Sequence, residues 1–182
     1  MAALCHDIAK PVTTSMNEAG RIVSPGHCEM GATLAKLFLK SIGCFPRIVD
    51  QVVPLVQEHL VHIRQTHTFR NIKRVAMRLH PANLKQLGWV VEADISGRYP
   101  LPKGMPKEMI ALIDLADAVQ VAIEKPKPLV LGRHLIPLGW QPGKEMGKVL
   151  KAAFEAQLDA EFDTVEKGID WVCGKYLPIL EI

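Results

Sequence analysis

No apolar run in this chain reaches the roughly 18–20 residues that a bilayer-spanning helix requires, so no membrane protein is expected. Nothing at the start reads as a signal peptide, because the short apolar run Met1-Ala2-Ala3-Leu4-Cys5 gives way at once to His6 and Asp7, and none is expected. The four cysteines, Cys5, Cys28, Cys44 and Cys173, form no CxxC pair and no zinc-finger spacing. That excludes a disulfide scaffold and leaves buried free thiols in a reducing cytoplasm as the expectation. Aromatic residues are scarce, and Trp89, Trp140 and Trp171 read as packing anchors rather than as a base-stacking platform. Neither sign of charge dominates: a net charge of +3 permits a phosphate-rich partner without demanding one. Period-2 alternation and internal repeats are both absent.

What is present is helix-period patterning throughout a chain of 182 residues, long enough for one core with a helical appendage. The pattern predicts the end of a helix at 1–9, a polar loop at 11–26, and helices at 28–40 and 46–62, with Pro46 in a first turn and Pro54 inside. A short basic amphipathic helix follows at 69–79, carrying Arg70, Lys73, Arg74 and Arg78 opposite Ile72, Val75, Ala76 and Leu79. Further helices are expected at 84–95 and 107–124. Lys125-Pro126-Lys127-Pro128 then marks a semi-rigid break between a domain at 1–125 and a helical tail at 129–182. In the tail a helix near 143–158 precedes a last one, for which Asp163-Thr164-Val165-Glu166 fits a capping box. The fold class is all-α.

The chemistry concentrates at a few polar positions. His6 and Asp7 stand side by side at the end of a buried helix, and an unpaired buried carboxylate costs several kcal/mol (order of magnitude), so Asp7 needs a cation or strong donors. The plain alternative is that Asp7 caps the helix and His6 donates to a backbone carbonyl. His27 follows a Pro25-Gly26 turn, His59 ends an apolar-periodic stretch, and Asp94 lies in the last turn of another. Three imidazoles and two carboxylates suit Mn, Fe, Ni, Zn or Co, and with more oxygen ligands Mg. Such an ion, with open positions, polarises phosphoryl oxygens and activates water for ester or diester hydrolysis. Lys10, one turn after the doublet, reads as a stabiliser of transition-state charge or as a cation at a helix end. Arg98 reads as a phosphate clamp or as a structural partner of Asp94. His62, three residues after His59, is a candidate substrate contact, whereas His67 is a weaker candidate and His80 and His134 read as structural. The basic run with Arg74 either tracks an RNA backbone or is a solvated face.

The order His6-Asp7, His27, His59, Asp94 resembles the HD-domain metal-dependent phosphohydrolase superfamily, named for such a doublet. More narrowly, Ala2–Pro11, Gly26-His27, Val56–Leu60 and Ala93–Arg98, with the tail runs Leu131–Gly143 and Leu150–Asp159, look like the HD and C-terminal helical portion of bacterial tRNA nucleotidyltransferases, the CCA-adding enzymes. The resemblance implies an HD-domain helical bundle with a small C-terminal helical extension. It makes His6, Asp7 and Asp94 the central ligands of a divalent metal (Mg, Mn, Ni, Fe or Zn), with His27 and His59 serving a second ion or a phosphate. It implies tRNA or a small phosphate ester as partner. The superfamily usually has a further ligating His upstream of the doublet, and the nucleotidyltransferase family an N-terminal nucleotidyl-transfer domain. Neither is present in this sequence, so a weaker metal site and a missing domain are expected.

Overall fold

The computed structural model describes residues 1–64, 67–100 and 102–176, and helix follows helix along them. The chain divides into two compact units. The first comprises Met1–Thr68 and Ile72–Lys125, the second Phe69–Asn71 and Pro126–Ile182.

The first unit contains α1 (Ala2–Cys5), α2 (Lys10–Thr13), a two-stranded hairpin of β1 (Ser15–Met16) and β2 (Ile22–Val23), α3 (His27–Ser41), α4 (Pro46–Glu58), α5 (Val61–Arg64), most of α6 (Phe69–Leu79), α7 (Leu84–Ser96) and α8 (Lys107–Ala118). Its core is built from the apolar faces that the periodicity marks. Leu39, Val49, Val56, Ile72, Val75, Leu79, Leu84, Leu87, Met109 and Leu112 are all fully buried there. Each such side chain contributes about 1.5–3 kcal/mol relative to exposure. Gly31 lets α3 approach its neighbours closely, because a Cβ at this position would meet Val56 Cγ1 at 3.3 Å and the His6 carbonyl at 3.8 Å. On α6 the apolar stripe Ile72, Val75, Ala76 and Leu79 is buried. Arg78 on its outer side forks onto the buried Glu58 carboxylate at the end of α4, with Nε to Oε1 at 2.7 Å and Nη2 to Oε2 at 3.0 Å.

The second unit contains α9 (Gly132–Leu135), a 3₁₀ turn (Ile136–Leu138), α10 (Lys144–Leu158) and α11 (Val165–Lys175). Val130, Leu135, Met146, Val149, Ala153, Phe162 and Val172 form its core. Trp171 donates Nε1–H to Glu161 Oε2 at 2.6 Å, and Lys175 Nζ lies 4.3 Å over its ring.

Several elements depart from the sequence reading for local reasons. The stretch 11–26 is not loop throughout: α2 opens it, and Ser15 pairs with Val23 and Met16 with Ile22 in an antiparallel ladder. Asn17 Oδ1 closes this hairpin by accepting from the Ala19 and Arg21 amides, while Gly20 takes a positive φ of 70°. The helix expected at 107–124 stops at Ala118, because Gln120 adopts a left-handed φ of 57° and the Val121 amide turns back to the Ala116 carbonyl at 2.8 Å. The helix expected at 46–62 ends at Glu58, with a short separate turn, α5, after it. The cap of α11 sits at Thr164, whose hydroxyl accepts from the Lys167 amide, and Asp163 pairs with Lys167 Nζ at 2.7 Å. Trp89 is not a packing anchor; it is 65% exposed. Cys5 and Cys28 are buried as expected, whereas Cys44 and Cys173 are half-buried. Among the described residues no helix is long and apolar enough to cross a membrane.

Gly168 on α11 marks the tightest approach in the second unit, where a Cβ would lie 2.6 Å from Val130 Cγ2 and 2.7 Å from Phe162 Cε2. Both neighbours are core side chains with no room to retreat, so Gly168→Ala overpacks the site. The variant is expected to lose about 1–3 kcal/mol of stability, read as a lowered urea midpoint by tryptophan fluorescence. An unchanged midpoint contradicts this account of the packing.

Candidate metal centre

Four helix ends and turns of the first unit carry the polar residues. His6 is the C-cap of α1, and Asp7 follows in the turn toward α2. His27 is the first residue of α3, introduced by Gly26 at φ 71°, a left-handed turn that suits glycine. His59 is the C-cap of α4, and Asp94 lies near the end of α7. The structure brings all five together, with Asp7 at the middle. Its Oδ2 is 3.1 Å from His6 Nε2, and its Oδ1 is 3.7 Å from His27 Nε2 and 3.8 Å from His59 Nε2. Asp94 Oδ1 lies 3.1 Å from the same His6 Nε2.

The three imidazoles are oriented in the same way. His6 Nδ1 is 2.8 Å from the Ala3 carbonyl, His27 Nδ1 2.6 Å from that of Ser24, and His59 Nδ1 2.7 Å from that of Val56. Each partner lies three residues back along the chain. A carbonyl only accepts, so Nδ1 carries the proton in every case and Nε2 turns its lone pair inward. A backbone carbonyl on the second nitrogen is the usual support of a metal-bound histidine. The rings of His6 and His27 each meet that of His59 edge-to-face at 5.3 Å.

This donor set fits a cation. At His6 a nitrogen lone pair faces two carboxylate oxygens, and a cation among these three acceptors would add to the compensation that Lys10 and Arg98 give the two carboxylates. Ligands of a tetrahedral ion at about 2.0–2.1 Å lie about 3.3 Å apart, close to the 3.1–3.8 Å separations observed. The two oxygens of Asp7 face different donor sets, Oδ2 toward His6 and Asp94, Oδ1 toward His27 and His59. The nitrogen-rich composition suits Zn, Mn, Fe or Ni better than Mg.

The charges are balanced locally. Lys10 Nζ donates to Asp7 Oδ2 at 2.6 Å, and Arg98 forks onto Asp94 with Nε to Oδ1 at 3.1 Å and Nη2 to Oδ2. Burial acts to raise the Asp7 carboxyl, but the Lys10 hydrogen bond and the charges of His6, Lys10 and His59 outweigh it and hold it below the usual aspartate range. Burial pushes the His59 imidazole down to about 4, with the Val56 carbonyl opposing. His62 is buried too, and its Nδ1 makes no well-formed hydrogen bond among the described residues. Burial lowers its imidazole as well, while the His59 backbone, and after it Glu108 and Asp94, pull the other way.

Lys10 and Arg98 thus each sit on a carboxylate of the cluster, and His62 lies buried on α5, three residues after His59. Arg74 stands on α6, half-buried and one turn before Arg78. Two cations of that basic run are engaged elsewhere, Arg78 with Glu58 and Arg70 Nε with the Asp159 carbonyl at 3.1 Å. The residue that sequence reasoning passed over is Cys28. Its Sγ lies 3.7 Å from both His27 Nε2 and His59 Nδ1. Adjacency to His27 was the available signal, but cysteine spacing alone points nowhere.

The depressed His59 imidazole sets a pH dependence. The unfolded chain takes up a proton near pH 6.5 that the folded chain refuses until about pH 4. Stability is therefore complete above pH 6.5 and is lost as pH falls through that window, by about 3 kcal/mol at its lower edge. In metal-free protein the urea midpoint is expected to fall between pH 7 and 4.5, and His59→Gln to flatten that decline. A midpoint that rises on acidification contradicts the assignment.

Comparison with known proteins places the chain beside two curated relatives. It is 29% identical over 170 residues to the CC-adding tRNA nucleotidyltransferase of Thermus thermophilus, covering 92% of this chain and 38% of that protein. It is 27% identical over 177 residues to the A-adding tRNA nucleotidyltransferase of Deinococcus radiodurans, covering 92% of this chain and 39% of that one. The chain thus spans about two fifths of the length of these relatives. No family model matches it, and no solved structure does. Over nearly its whole length the chain is similar to tRNA nucleotidyltransferases.

Proposed function

We propose that the first unit is an HD-type metal centre with phosphohydrolase activity on phosphate esters or cyclic phosphodiesters, within a tRNA-processing protein. The observation that carries this reading is the convergence of three carbonyl-tethered imidazoles on Asp7, with Asp94 closing the far side. A divalent ion held by His6, Asp7 and Asp94, with His27 and His59 serving a second ion or the phosphate, would supply Lewis acidity toward a phosphoryl oxygen and acidify water. The chain's own residues do the rest. Lys10 and Arg98 have half-exposed side chains at the rim, so their cationic heads reach an incoming phosphate from the carboxylates they now neutralise. His62, buried and three residues after His59, offers a polar contact to the substrate.

A second reading is favoured by the extent of the similarity, which covers 92% of the chain and so takes in most of the second unit, while the five clustered residues all belong to the first. On this reading the chain is a tRNA-binding or structural module, and nucleotide addition is carried out by a further nucleotidyl-transfer domain.

The two readings separate on one pair of variants. Hydrolysis of a generic phosphodiester or a 2′,3′-cyclic nucleotide is expected to require added divalent metal and to vanish in Asp7→Ala, while Arg74→Ala stays near wild type. Loss of tRNA affinity in Arg74→Ala, with hydrolysis absent from the wild type, replaces the first reading by the second.

A further inference from the structure

We infer that Cys28 is a metal ligand, making the inner half of the centre a thiolate–imidazole–carboxylate site for zinc or another thiophilic divalent ion. The inference rests on the metal-centre reading and goes beyond it in naming the donor that sets the choice of ion.

Cys28 and His27 are the first two residues of α3, and the Cys28 side chain is fully buried. His27 Nδ1 is engaged with the Ser24 carbonyl, so its Nε2 is an acceptor, and it faces the Cys28 sulfur across 3.7 Å. The same Nε2 faces Asp7 Oδ1 at 3.7 Å. Sulfur and nitrogen bound to one tetrahedral zinc, at about 2.3 and 2.05 Å, lie about 3.6 Å apart. The Sγ to Nε2 separation therefore matches a coordination edge, and the buried His59 turns its own Nε2 toward the same Asp7 Oδ1 at 3.8 Å. Ligation replaces the thiol proton, which leaves to solvent, by the ion. The resulting negative charge falls in the first turn of a 15-residue helix, where the backbone dipole favours it. Sulfur ligation favours zinc and cobalt over magnesium and manganese, which prefer oxygen.

Cobalt(II) added to the metal-free full chain tests this. Wild type is expected to show visible d–d bands together with a near-ultraviolet thiolate-to-cobalt charge-transfer band. Cys28→Ser and Cys28→Ala are expected to keep the visible bands, lose the near-ultraviolet one, and bind zinc at least about tenfold more weakly with manganese affinity unchanged. Zinc-edge X-ray absorption of the wild type provides a check independent of any variant, with a sulfur scatterer expected at about 2.3 Å. Visible bands without charge transfer, or a zinc shell of nitrogen and oxygen only, leave the centre standing and overturn the role of Cys28. A charge-transfer band that survives both substitutions overturns it as well. The absence of any cobalt spectrum or zinc binding overturns the metal centre itself, and this inference with it.

Discussion

The Asp7 carboxylate is the charge around which the first unit is arranged. It is partly withdrawn from water, and burial acts to raise its carboxyl, yet that carboxyl is held below the ordinary range. That outcome needs several compensating groups, and they arrive from separate parts of the chain: Lys10 from the following turn, His6 from the residue before and His59 from α4. No single element can supply them, so the packing of α1 against α4 is a precondition of that compensation. The apolar core and the polar cluster are two aspects of one arrangement. Gly31 illustrates the link, since the close approach it allows brings α3 against both Val56 and the His6 backbone.

The orientation of the imidazoles has a different origin. Each histidine sits at a helix end or first turn, where backbone groups lack their regular helical partners. A carbonyl three residues back takes the Nδ1 proton of His6, His27 and His59 alike. The tautomer is therefore set by local backbone geometry, and Nε2 turns inward without help from a distant side chain. This preorganisation limits the reorientation needed when a cation enters among the acceptors.

Much of this was legible in the residues. Helix-period patterning located the elements, since α3, α6, α7 and α10 lie within a residue or so of the expected limits. The order of histidines and aspartates marked the five residues that meet. What escaped had physical reasons. The hairpin at Ser15–Val23 has two-residue strands, too short for alternation to register. The end of α8 depends on a left-handed Gln120, a residue type without a strong preference for that conformation. Trp89 looked like a core anchor by type, but its position on α7 faces outward, and side-chain type alone does not report that. Arg98 and Asp94 stand four apart on a helical stretch, a spacing that fits an ion pair as well as a phosphate clamp, so only coordinates place the guanidinium on the carboxylate. Cys28 escaped because thiols are read by spacing to other thiols, whereas its neighbours are imidazoles from two helices.

The fork between Arg78 and Glu58 has a consequence for a residue that neither touches in that pair. Glu58 is the last residue of α4 and His59 the next, so the salt bridge fastens to α6 the same helix end that presents an imidazole to Asp7. Arg78 is about half exposed, and ionic strength acts on its charge. The helix terminus thus works as a pivot with an ionic tether on one side and a ligand on the other. Background electrolyte thereby gains leverage over the cluster from a point outside it.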